Sequence, residues 1–205
     1  MNGVPGRSFD YRINASMRAP RLLCAVLLAL APLCAWSLAP NEDIVVKIRK
    51  DGPIVAVDVD CPVNAPWGVV WEVLTDYPNM PQFISNIQYS VIEETAGDTL
   101  HVRQKGKASR GPLSVTFDLL REVKLVPQTE IQSRLISGDL KSSDFVTRIV
   151  READGVHILN SGRYTPKVWV PPIIGPAVIE AETQKQFGEF RTEILRRSAM
   201  LRPQT

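Results

Sequence analysis

The sequence predicts an α+β fold, a long antiparallel meander of strands interrupted early by two short helices and closed by one long helix at the C-terminus. Three observations predict it. Segments with apolar residues at alternate positions follow one another from Ile44 to Pro166, separated by short polar connections about every 10–15 positions. One stretch around residue 70 abandons that period for the 3.6-residue repeat of a helix. From Gly175 to near Arg197 the chain reads as a single charged helix with no strand after it. Strands run together, with the main helix set apart at the end, belong to α+β rather than to an alternating α/β sheet.

Taken in order, "DIVVKIRKDGPIVAVDVD" offers two strands around the hairpin signal Asp51-Gly52. In the second of them Val55, Val57 and Val59 alternate with Ala56, Asp58 and Asp60, which gives one apolar face. Pro66 then suits the first position of a helix in which Trp67, Val70, Trp71 and Leu74 share a face. Asp76-Tyr77-Pro78-Asn79 cuts that helix short, and Pro81 opens a second brief one through Phe83 and Ile84. Asp76 and Tyr77, at the helix end, read as local capping and packing residues.

Strands resume at "SNIQYSVIEET" and turn at "AGD", with Glu93-Glu94 solvated beside the turn. "TLHVRQKGKAS" turns at "RGP", and "LSVTFDLLREVKLVP", "TEIQSRLIS", "SDFVTRIVRE" and "VHILNSGRYTP" complete the meander. Pro176 after Gly175 marks the start of the last helix, with Pro171 and Pro172 stiffening the approach.

Composition narrows the function classes. The 205 residues are 44% hydrophobic and 22% charged, which suits one folded domain with a substantial core. Residues 1–37 hold four arginines against one aspartate, so the remainder carries 20 basic and 21 acidic residues, a balance without a polyanion-binding excess; nucleic acid is not an expected partner. Arg18 and Arg21 precede the uncharged "LLCAVLLALAPLCAW", and "AWS" supplies small residues for cleavage before Leu38. Residues 1–37 therefore read as an export signal, with Met17 a candidate true start. Leu22 to Ala39 is also just long enough for an uncleaved membrane anchor, but Pro32 and "AWS" favour removal. The expected location is periplasmic or extracellular. Residues 38–54 read as an N-terminal strand and linker, 55–199 as the domain, and 200–205 as a tail. Cys24 and Cys34 fall in the export segment, which leaves Cys61 as a buried small hydrophobe without a disulfide partner.

Four stretches carry a resemblance: "VNAPWGVVWEVLTDYPNMPQFISNI", "VRQKGKA", "ISGDLKSSDFVTRIV" and "PPIIGPAVIEAETQKQFGEFRTEILRR". Over about Val55 to Arg197 the chain resembles the START-like, SRPBCC superfamily, and within it the polyketide cyclase/dehydrase and coenzyme-Q-binding START group. The resemblance implies a helix-grip fold: a curved antiparallel sheet wrapped around the C-terminal helix, with a cavity between them. It implies no catalytic motif, because members share an architecture and a hollow.

Strand alternation says which side chains line such a hollow. In "TLHVRQKGKAS" Leu100, Val102, Gln104, Gly106 and Ala108 share one face, while His101, Arg103, Lys105 and Lys107 form the wet one. A strand against a solid core puts bulk where this one has Gln104 and Gly106. The face Val156, Ile158, Asn160, Gly162 and Tyr164 repeats the pattern, whereas Leu113, Val115, Phe117 and Leu119 read as ordinary core. Glycine in a strand also marks a bulge or bend, an alternative open for Gly106 and Gly162. On the last helix Gln184, Gly188 and Arg191 share a face between two apolar stripes, with Arg191 placed to meet a polar ligand head or to stand salt-bridged at the surface. Trp169, Ile173 and Ile174, in "VWVPPIIGPAVI", read as the cavity mouth, either a lid or a patch for transient membrane contact; the run is too short and proline-rich to span a bilayer.

Enzyme signatures are missing. His101 and His157 have no metal-ligand spacing to another His, Cys or carboxylate, and no nucleophile-elbow or phosphate-loop pattern occurs. No metal and no cofactor is expected. The reading that follows is an exported, non-catalytic binding protein for a hydrophobic or amphipathic small molecule, lipid- or quinone-like. Its alternatives are a cyclase or dehydratase using Tyr164, Gln104 or Arg191 to polarise a carbonyl, and an interaction domain with a filled core.

Overall fold

The Asp51-Gly52 turn closes a hairpin between β1 (Val45–Asp51) and β2 (Ile54–Val63), with Gly52 in the left-handed region at φ 55° that favours glycine there. The computed structural model describes residues 44–110, 113–152, 155–168 and 175–201, with the side chains of residues 109, 110 and 113 outside that description. Helix α1 (Trp67–Thr75) starts immediately after Pro66, and a 3-10 turn (Tyr77–Asn79) leads into the one-turn helix α2 (Met80–Phe83). Six strands follow: β3 (Ile87–Ala96), β4 (Thr99–Arg110), β5 (Leu113–Val126), β6 (Glu130–Gly138), β7 (Leu140–Glu152) and β8 (Gly155–Pro166). The last element is α3 (Gly175–Met200).

All eight strands form one antiparallel sheet in the order β1-β2-β8-β7-β6-β5-β4-β3, so the chain walks along the meander and β8 returns to pair with β2. This is the α+β helix-grip arrangement. β1, read from sequence as strand and linker ahead of the domain, is a full edge strand of the sheet and packs on α3.

The core lies between the concave face of the sheet and the helices. Val55, Val57 and Val59 are buried as their alternation predicts, with Val70, Val73, Ile84, Val102, Val123, Ile158 and Ile194 almost wholly enclosed. Cys61 is among these enclosed residues, and burial pushes its thiol up to about 12, so it packs as a hydrophobe and is not a reactive thiolate. The face expected to be core along β5 is not uniform. Val115, paired with Ala108 near the end of the β4–β5 ladder, is 52% exposed among the described residues. Phe117 packs against the core, and Leu119 turns toward a cavity.

An ionic cluster holds the helical insertion to α3. Glu193, buried in α3, accepts hydrogen bonds from Arg196 at 2.6 Å and Arg197 at 2.7 Å. Arg197 also donates to Asp76 at 2.7 Å and Glu72 at 3.0 Å, and its guanidinium lies 5.6 Å over the Phe83 ring. Arg196, and then Arg197, hold the Glu193 carboxyl at about 2 against the opposing effect of burial. A carboxyl depressed in the fold stabilises it fully above the ordinary value of 4.5 and loses that contribution as pH falls toward about 2. Acid titration is therefore expected to cost up to roughly 3 kcal/mol between those limits. Glu193→Gln should flatten that part of the curve, as followed by melting temperature against pH.

Candidate functional site

Where the strands curve away from α3, the two surfaces enclose a cavity of about 320 Å³, inside the range of small-molecule sites. Val57, Leu119, Ile131, Phe145 and Tyr164 from the sheet, Leu74, Tyr77 and Met80 from the insertion, and Ile179, Phe187 and Phe190 from α3 give walls that are mainly apolar. Phe145 stacks on Tyr164 with ring centroids 6.4 Å apart, and Phe187 and Phe190 pack 6.0 Å apart on the helix side.

Of the residues singled out from sequence, Gln104, Asn160 and Tyr164 lie on this wall. Gln104 is 3% exposed, and its Nε2 donates to Ser90 Oγ at 3.0 Å and Met80 Sδ at 3.2 Å. With both bonds given by the amide nitrogen, Oε1 is left to accept from Arg121 Nη2. Burial pushes the Tyr164 phenol up to about 12. Asn160 Oδ1 is buried without a hydrogen-bond partner among the described residues.

The other candidates stand elsewhere. A Cβ on Gly106 lies 1.9 Å from Asn86 O and 2.6 Å from Phe117 Cζ, so this glycine admits the backbone of the turn before β3 rather than opening space. A Cβ on Gly162 meets Asp144 O at 2.3 Å and the Phe145 ring at 2.4 Å; its role is to seat Phe145, which itself lines the cavity. Gln184 is exposed and reaches Ile44 O at 3.5 Å, and a Cβ on Gly188 would meet the Ile44 side chain at 3.9 Å. Arg191 sits near enough to Cys61 to oppose the rise of its thiol. That helix face is turned to β1 and β2. The face toward the cavity is instead Ile179, Thr183, Gln186, Phe187 and Phe190, a stripe of helical spacing. Trp169, Ile173 and Ile174, the expected mouth, lie outside the described residues.

Sequence reasoning missed Tyr77, Arg121, Ser133 and Thr147, all on the wall. A signal for Arg121 was present: it continues the inward face of Leu119 and Val123, where a charged residue is out of place. Arg121 and Tyr77 lie close together; burial pulls the guanidinium below its ordinary value and pushes the phenol up to about 12, each opposed by the other's charge. Arg121 Nε and Ser133 Oγ join Asn160 Oδ1 as buried polar atoms with no partner among the described residues. Natively such atoms are scarce, and each costs stability unless something answers it. Asn160→Leu is accordingly expected to raise stability by about 1 kcal/mol in denaturant unfolding while removing a polar point from the wall.

Among the described residues there is no group of three His, Cys, Asp or Glu side chains fit to hold a metal ion, and no helix long and apolar enough to cross a membrane.

The family model for polyketide cyclase / dehydrase and lipid transport matches residues 63–190. No curated protein matches by sequence. The solved structures it is similar to include a STAR-related lipid transfer protein from Xanthomonas axonopodis, at 13% identity and TM-score 0.61, covering 75% of this chain and 94% of that one. Another is the Zhui aromatase/cyclase from Streptomyces sp. R1128, at 15% identity and TM-score 0.56 over 71% of this chain and 94% of that one. A START superfamily protein from Mycobacterium smegmatis shares 16% identity at TM-score 0.52, over 73% and 99% of the two chains. At these identities the likeness establishes the shared fold.

Proposed function

This chain belongs to the polyketide cyclase / dehydrase and lipid transport family, and from that premise we propose that it is a binding protein for a hydrophobic or amphipathic small molecule, lipid- or quinone-like, held between the sheet and α3. The observation that carries the proposal is the cavity of about 320 Å³ with mainly apolar walls and three buried polar atoms that have no partner among the described residues, the make-up of a site that holds a greasy ligand and orients it at a few points. Binding is favoured over acid–base turnover because the described residues of the wall include no His, Asp, Glu, Lys or Cys, and the two tyrosines among them are pushed up to about 12. A general acid or base works best when it titrates near the operating pH. A cyclase-type reading keeps the same cavity and uses Tyr164 or Gln104 to polarise a carbonyl; Arg191, on the β1 and β2 side, drops out of it.

The proposal includes export. Removal of residues 1–37 fits the arginine-flanked apolar run that precedes "AWS", and N-terminal sequencing of mature protein starting at Leu38 supports it, whereas an intact leader in the cytoplasm contradicts it.

Native mass spectrometry of protein purified without harsh detergent tests the binding itself. A discrete adduct of a lipid- or quinone-like mass is expected, lost when Thr147 on the wall is replaced by Trp. Protein that carries no adduct and takes up none from an added lipid extract contradicts the reading.

A further inference from the structure

Resting on that reading, we propose that the ligand is a single-chain amphiphile with a monoanionic oxygen head, a carboxylate, seated on Arg121 and Ser133, with its apolar body toward Phe145, Tyr164 and Ile179.

Arg121 is the one charged side chain among the described residues of the wall. Its hydrogen bond runs to the neutral amide of Gln104, and among the described residues no carboxylate pairs with it. Glu122, next in sequence, points to the other face and pairs with Arg134 at 2.7 Å, and Asp118 is taken by Arg103 at 2.9 Å and Lys105 at 3.2 Å. Tyr77, its close neighbour, stays a neutral phenol at physiological pH and supplies no counter-charge. A buried guanidinium without an anion is a destabilising choice; an apolar residue of similar volume fits a core better. Such a group persists where something outside the chain completes it.

The donors converge. Arg121 pairs across the β5–β6 ladder with Leu135 and Val123 with Ser133, so Ser133 is the diagonal neighbour of Arg121 on the same concave face. Arg121 Nε and Ser133 Oγ are both buried, with no partner among the described residues. Gln104 holds the guanidinium by one edge through Nη2, which fixes the plane and leaves Nε to an incoming acceptor. An ionised carboxylate accepts several such bonds at once and accepts them more strongly than a neutral oxygen. At about 30 Å³ per water-sized group, 320 Å³ holds on the order of ten heavy atoms, so a ten-carbon acid is the matched probe.

The test is isothermal titration calorimetry of the full chain at pH 7.5 with decanoate, decanol and acetate. Decanol is the greasier of the long-chain pair, so a cavity that reads only hydrophobicity prefers it. The expected result is decanoate bound at least about tenfold more tightly than decanol, with acetate failing to compete at the same concentrations. In Arg121→Met that preference disappears while decanol still binds, an outcome a merely structural arginine does not give. Arg121→Lys retains part of the preference. Arg121→Gln replaces the methionine variant should that one not fold. Equal binding of decanoate and decanol by wild type overturns the anionic head and leaves the hydrophobic-ligand reading standing. Binding of neither overturns both. A preference for decanoate that survives in Arg121→Met overturns Arg121 as the anchor, and acetate binding as tightly as decanoate reduces the site to a simple anion pocket.

Discussion

Replacing Arg197 with alanine is expected to lower unfolding stability by about 3 kcal/mol, because it strands partly buried carboxylates that the guanidinium now joins. Arg197 side-chain exposure is 18%, against 8% for Glu193 and 17% for Asp76, so these bonds are largely shielded from water and salt. The same side chain covers Phe83, whose ring meets Phe190 edge-on at 6.1 Å, and the loss therefore reaches the hydrophobic seam between α2 and α3. Arg197→Lys should recover only a part, since an ammonium cannot serve Glu193, Asp76 and Glu72 with three separate nitrogens. The effect also has a functional side. Asp76 immediately precedes Tyr77, which forms part of the cavity wall, so freeing this end of α1 loosens the wall itself. Denaturant unfolding measures the first effect; a change under about 0.5 kcal/mol, the size of an exposed pair, contradicts the role given to the cluster.

Gly106→Ala is expected to cost a similar amount, about 3 kcal/mol, at the upper end of what an added methyl does in a packed site. The new Cβ lies 1.9 Å from Asn86 O, an atom fixed by its bond from Lys107 N at 2.9 Å. A flexible side chain could swing aside; a backbone carbonyl in a turn cannot without moving the turn. That turn carries Ile87, and its displacement shifts one boundary of the cavity. The variant should unfold at lower denaturant with an unchanged slope, whereas a wild-type midpoint contradicts the close approach.

These two positions also show what was legible in the sequence. The hairpin at Asp51-Gly52, the proline-led short helices and the strand-by-strand meander were readable because each is written in local chemistry: φ-permissive turns, a missing N–H, and alternation. Gln104, Asn160 and Tyr164 were placed on the concave side by the same alternation. Gly106 and Gly162 read from sequence either as space for a ligand or as a bulge or bend, and each is filled from outside its own strand, by Asn86 and Phe117 in one case and Asp144 and Phe145 in the other. Alternation fixes a face and is silent on what packs against it. For the same reason the sequence places Gln184 and Gly188 toward the hollow, whereas the start of β1 takes up that side of α3. Arg121 is hard to read from sequence because its neighbours Leu119 and Val123 make the face look like ordinary core, and only the lack of a carboxylate around it among the described residues gives the residue meaning.

The proposed account is that the cavity takes in an amphiphile and grips its anionic head at the Arg121 end, where buried polar atoms have no partner among the described residues. A crystal structure of the protein with decanoate tests this most directly. The account predicts continuous density filling the cavity, with a carboxylate oxygen within hydrogen-bonding distance of Arg121 Nε and the chain lying along Phe145 and Ile179. Side chains closed over that space, or decanoate found only on the outer surface, would contradict it.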